Sequence, residues 1–117
     1  MPRIWTLSIF FFLLTFKLSS QVAPSFTSNT QIGCSPLVVN FTNTSQNATN
    51  YVWDFGNGIQ STLTNPSTTY TSPGFYTVKL IAQNATDTDY IIQQNYIQVL
   101  DLPTAMFSVV SISNCFN

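Results

Sequence analysis

Two strings constrain this chain more than anything else in it: WDFGNG at Trp53 to Gly58 and, after a short interval, YTSPGFYTVKL at Tyr70 to Leu80. Each alternates apolar and polar residues. Tyr51, Trp53 and Phe55 stand against Val52 and Asp54, and Tyr76, Val78 and Leu80 against Thr77 and Lys79. This is the two-residue period of a half-buried sheet. Gly56, Asn57 and Gly58 read as a tight hairpin, because Gly and Asn accept positive φ at little steric cost. Asn65 with Pro66 and Pro73 with Gly74 mark further turns, each where the alternation breaks. Such strings describe the core of a sandwich rather than a catalytic centre.

The rest of the chain follows the same grammar. Short strands are expected at Pro24 to Ser28, Pro36 to Asn43, Asn50 to Phe55, Ile59 to Leu63, Ser67 to Tyr70, Gly74 to Asn84 and Asp87 to Leu100, the last with a bulge near Gln94. No stretch after residue 20 keeps a helical period. The expected fold class is all-β, an Ig-like β-sandwich of about seven strands in two antiparallel sheets. In antibody domains a buried Trp on strand C packs on the inter-sheet disulfide, and a Tyr two residues before the second Cys makes a corner bond. Trp53 and Tyr76 suit those roles, but Val78 stands where the cysteine would be. Packing must then replace the bridge.

Residues 1–20 are a different text. Arg3 precedes an apolar run from Ile4 to Phe16, closed by Lys17, Leu18, Ser19 and Ser20. The run is short for a spanning helix, which needs about 20 apolar residues, and its layout is that of a secretory signal peptide cleaved after Ser20, with an uncleaved anchor as the alternative because Lys17 lies so near the end of the run. Arg3 and Lys17 leave with it, so one Lys faces four Asp, a net charge of 1 − 4 = −3. Nucleic acid is excluded as a partner because phosphate binding needs clustered Lys and Arg. Anionic membrane surfaces are excluded by the same shortage, and no membrane insertion is expected after cleavage. Thr, Ser, Asn and Gln supply the solvated surface instead. Glycosylation acceptor patterns at Asn40, Asn43, Asn47 and Asn84 arise easily in so Asn- and Thr-rich a sequence and carry no weight.

The strings YVWDFGNG (Tyr51 to Gly58), NPSTTY (Asn65 to Tyr70) and SPGFYTVKL (Ser72 to Leu80), with PLVVNFTNTS (Pro36 to Ser45) ahead of them, resemble the polycystic-kidney-disease (PKD) repeat. The resemblance spans residues 23–100 and rests on Tyr51, Trp53, Asp54, Phe55, Gly56, Gly58, Tyr70, Pro73, Gly74, Tyr76 and Val78 as structural positions. It implies an extracellular Ig-like module used as a spacer, adhesion or interaction domain of secreted or cell-surface proteins, often in tandem. Asn57 departs from the Asp more usual in the family, which removes a carboxylate from the turn. Phe26 and Cys34 recur as Phe107 and Cys115 at an offset of 81, beyond a linker-like Leu100 to Pro103. Residues 101–117 are therefore read as a linker and the truncated start of a second repeat. Equivalent positions in consecutive repeats usually lie far apart, so partners outside this sequence are favoured over a Cys34–Cys115 bridge.

The chain has no His and no Glu. Without His, the Ser/His/Asp and Cys/His nucleophilic arrangements are unavailable, and so is the commonest metal ligand. Asp87 and Asp89 sit in a hairpin loop, but two carboxylates fall short of the six to eight oxygens that Ca²⁺ takes. No enzyme activity, cofactor or metal is expected. The expected partner is an extracellular protein or a polysaccharide. The leading function is a non-catalytic spacer or adhesion module, and the alternative is a carbohydrate-binding accessory module of a secreted hydrolase, for which Tyr90 and Tyr96 are the candidate exposed aromatics.

Overall fold

The computed structural model describes residues 21–101. The secretory reading of residues 1–20 and the second-repeat reading of residues 102–117 fall outside them. Eight strands follow in order: β1 (Phe26–Ser28), β2 (Ile32–Cys34), β3 (Leu37–Asn43), β4 (Asn50–Asp54), β5 (Gln60–Ser61), β6 (Ser67–Tyr70), β7 (Gly74–Gln83) and β8 (Thr88–Leu100). They form a three-stranded sheet, β1-β3-β6, and a five-stranded sheet, β2-β8-β7-β4-β5. The fold is thus the all-β, Ig-like sandwich that the alternation implies.

The alternation sets the inner faces. On β3, Val39 and Phe41 point inward while Val38, Asn40 and Thr42 face solvent; on β7, Val78, Leu80 and Ala82 are buried between Thr77, Lys79 and Ile81. The two sheets meet on an aromatic cluster. Trp53 of the larger sheet lies edge-on to Phe26 (5.2 Å between ring centroids) and tilted against Phe41 (5.5 Å), both on the smaller sheet, with Phe55 stacked beside Phe41 at 5.2 Å. Trp53, Phe55, Tyr70, Val78, Leu80 and Ile97 are completely buried. Burial of this apolar surface, at about 25 cal/mol per Å², is the dominant favourable term for a fold so short of charge.

Two features depart from the sequence expectation. Strand β2 has no counterpart in it, and it pairs parallel with Gln98 to Leu100 of β8. Three residues around Gly33 are too short to show a period, and their partner lies more than 60 positions away in the chain. The bulge in β8 is present and larger than one residue. Tyr76 faces Ile97 and Val78 faces Gln93, so Gln94, Asn95 and Tyr96 stand against Thr77 alone. Asn95 takes φ +51°, and its N–H donates to Thr77 Oγ1 at 3.2 Å. The side chain of Thr77 therefore fills the gap in the ladder.

Candidate functional site

Most of the residues singled out in the sequence gather at one end of the sandwich, around the connection between β4 and β5, while Tyr51 lies toward the other end, across from Ala82. That connection is five residues long, 55–59, and not a tight two-residue hairpin. Gly56 and Gly58 take positive φ (+82° and +87°), whereas Asn57 does not. Gly56 is required for a second reason. A Cβ there would lie 2.5 Å from the carbonyl oxygen of Thr77 on the neighbouring strand. Asp54, at the end of β4, accepts the Gly56 N–H at 3.0 Å. Its carboxylate is thus spent on the turn, as Asp in this setting commonly is.

Asn57 crosses from one sheet to the other. Its Nδ2 donates to Thr68 Oγ1 (3.1 Å) and to the Thr69 carbonyl (3.3 Å) on β6, while its Oδ1 accepts the Ile59 N–H (3.1 Å). An aspartate could not make the two donations. Asn57 therefore has a task that an aspartate could not perform here. Tyr70 closes the interior beneath the loop, with its buried hydroxyl donating to the Phe55 carbonyl at 2.9 Å. Burial raises the Tyr70 phenol well above its ordinary value, with Tyr76 and then Asp54 adding to the effect. Its ring lies 4.5 Å from that of Tyr76.

Tyr76 makes the corner. Its hydroxyl donates to the Ser72 carbonyl at 2.6 Å, four residues back, across the turn that carries Pro73 and Gly74 at φ +143°. Val78, two residues on, is fully buried where antibody domains place a cysteine. Trp53 completes the set with Nε1 donating to the Leu63 carbonyl at 2.9 Å, and the Tyr51 hydroxyl donates to the Ala48 carbonyl at 3.1 Å. Each of these polar groups makes a hydrogen bond within the fold.

Ligand-like chemistry lies elsewhere. Tyr90 is 58% exposed, beside a shallow cleft of about 430 Å³ lined by Gln21 to Pro24 and Asp89 to Ile91. Lys79 Nζ sits 5.1 Å from the Tyr90 ring centroid, a cation–π contact. Tyr96 does not join it. The Tyr96 ring packs edge-on to Phe26 at 5.2 Å, on the inner side of β8, which corrects its reading as an exposed aromatic. Tyr96 is the last residue of the bulge, which points it inward. Phe75, at 61% exposed, was missed, because its flanking Gly74 and Tyr76 marked it as part of the turn motif. Among the described residues no group of three or more His, Cys, Asp or Glu could hold a metal.

The loop aspartates are also engaged. Asp87 Oδ2 accepts the Val22 N–H (2.9 Å), its Oδ1 accepts the Thr88 N–H (2.9 Å), and Asp89 Oδ1 accepts the Tyr90 N–H (2.8 Å). Cys34 is disulfide-bonded, which corrects the preference for leaving it unbridged within this chain; Cys115 lies outside the described residues.

A two-sheet sandwich with a strand-C Trp and a tyrosine corner, and with Val78 where the second cysteine would stand, defines an Ig-like module rather than an antibody domain. The PKD-domain family model matches residues 21–99, and the chain belongs to that family. Among solved structures, it is similar to the PKD1 domain of the Vibrio cholerae metalloprotease PrtV, at 33% identity over 68% of this chain and 96% of that one, with a TM-score of 0.58. The PKD1 domain of Vibrio anguillarum Epp matches at 29% identity, over 68% and 96% of the two chains, with a TM-score of 0.58. A structure of carbohydrate-binding modules from the β-sandwich superfamily matches at 27% identity over 69% of this chain and 35% of that chain, with a TM-score of 0.62. No curated protein sequence matches the chain.

Proposed function

We propose that the domain is a non-catalytic extracellular module that spaces and presents neighbouring parts of a secreted or cell-surface protein. The observation behind this reading is the path of the chain. It enters at the β7–β8 hairpin end, where Val22 is held by Asp87, and it leaves after Leu100 at the far end of β8. Thirteen strand residues separate these points, two of them taken up by the bulge, which leaves roughly 35 Å at the usual rise. A module with its ends at opposite poles extends an array instead of folding it back. The PKD1 domain of PrtV, which comes from a metalloprotease, is consistent with such an accessory role.

Two copies of residues 21–101 in series should give, by small-angle scattering, a longest dimension close to twice that of one copy. A compact side-by-side pair would overturn the spacer reading. N-terminal sequencing of the exported chain should begin at Gln21, which tests the secretory segment separately.

A second reading is a carbohydrate-binding accessory module, favoured by the exposed Tyr90 beside its cleft and by the likeness to carbohydrate-binding modules. With Tyr96 partly buried against the core, it rests on Tyr90 without a second aromatic from the original pair. Depletion of the chain onto insoluble cellulose, chitin or xylan that disappears in Tyr90→Ala would support it. Failure to bind any of them would remove it.

A further inference from the structure

One of the residues that tie the two sheets together stands in the one Asn–Gly step of the sequence, Asn57–Gly58. In such a step the backbone nitrogen that follows the asparagine can attack the side-chain amide with no neighbouring Cβ in the way. Every other asparagine up to Asn95 is followed by a residue that carries a side chain. The structure places nothing within 4 Å of where a Gly58 Cβ would stand, and φ there is +87°. No hydrogen bond among the described residues engages the Gly58 N–H.

The amide itself is anchored three ways, to Thr68 Oγ1, the Thr69 carbonyl and the Ile59 N–H. We propose that Asn57 is a site of spontaneous deamidation, restrained while its amide is bound to β6, and that the reaction irreversibly cuts the tie between the sheets. The chemistry needs only the chain and water. Gly58 N bonds to Asn57 Cγ and gives up its proton, Nδ2 departs as ammonia, and the product is a five-membered succinimide. Water then opens either carbonyl of the ring, leaving an aspartyl or an isoaspartyl residue at position 57.

Both products damage the same contact. A carboxylate has no proton to give the Thr69 carbonyl, so two acceptors face each other where a donor and an acceptor stood 3.3 Å apart. The isoaspartyl form also lengthens the main chain by one carbon within a connection of five residues, 55–59. The new charge falls three residues from Asp54, whose carboxylate already holds the same turn.

The test is peptide mass mapping of the full chain during incubation at mildly alkaline pH, native and in denaturant. Position 57 should gain the mass of an amide-to-acid exchange before any other asparagine. Release from the fold should speed it by roughly tenfold or more, as for a reaction gated by local opening. Thr68→Ala, which removes one anchor, should speed the native reaction, and the aged fraction should melt below the fresh protein. Asn57→Asp should lower the melting temperature in the same direction. Equal rates in native and denatured protein would overturn the proposal. So would an earlier reaction at another asparagine, or aged protein and Asn57→Asp both melting with the unaltered chain.

Discussion

The two ends of this sandwich are held by different means. At the end that carries the 55–59 connection the central tie is buried, the Tyr70 hydroxyl to the Phe55 carbonyl, flanked by the part-buried bonds of Asn57 to Thr68 and Trp53 to Leu63. At the opposite end, where the chain enters, the side-chain ties are exposed apart from the part-buried bond of Asp87 to Val22. Ala23 bridges Gln46, Asn47 Nδ2 donates to the Gln21 carbonyl, Asn84 Nδ2 donates to the Asn47 carbonyl, and Asp87 holds Val22. Buried hydrogen bonds are costly to leave unmade, whereas exposed ones are exchanged with water at small net cost. The inner end should therefore decide whether the domain is folded, and the outer end whether its first residues stay docked.

Substitutions can break that contrast. Trp53→Ala should lower stability by about 3 to 5 kcal/mol, the range for deleting a large buried aromatic, read as a shift in denaturant midpoint. Gly56→Ala should cost at least about 2 kcal/mol, since a left-handed backbone and the Thr77 carbonyl both oppose the methyl group. Tyr70→Phe should cost about 1 to 3 kcal/mol by leaving the buried Phe55 carbonyl without its donor.

Alkaline titration probes the same tie without substitution. Because the folded Tyr70 phenol is raised above its unfolded value near 10, its protonated form stabilises the fold. That contribution is complete below about pH 10 and is lost as pH rises toward the raised folded value. Tyr70→Phe should flatten this alkaline loss of stability in thermal melts.

The outer end should respond more weakly. Asp87→Ala should cost about 1 kcal/mol and speed amide exchange at Val22 and Ala23 while leaving Tyr70 and Val78 protected. Tyr90→Ala should change stability by less than about 0.5 kcal/mol, as expected for an exposed side chain. A loss at Asp87 as large as that at Trp53 would erase the distinction between the ends.

What could be read from the chain follows the same division. Trp53, Phe41, Val78 and Leu80 sit in alternating runs, and a period of two says which way each faces before any partner is known. Strand β2 was invisible because its pairing is set by a distant segment and not by its own three residues. The role of Asn57 was illegible too. Its side chain looks like a turn residue locally, and only the approach of β6 supplies the two acceptors it binds. Tyr96 misled for a related reason, since its facing depends on how many residues the bulge takes up.

That bulge has a parity. Three residues of β8 stand against one of β7, an excess of two, so Ile97 and Val99 emerge on the same side as Ile91 and stay in the core. Deleting Asn95 alone would make the excess odd and turn both out to water, while Gln98 between them would turn in. Deleting Gln94 and Asn95 together would restore the count, so the double deletion should harm the fold less than the single one.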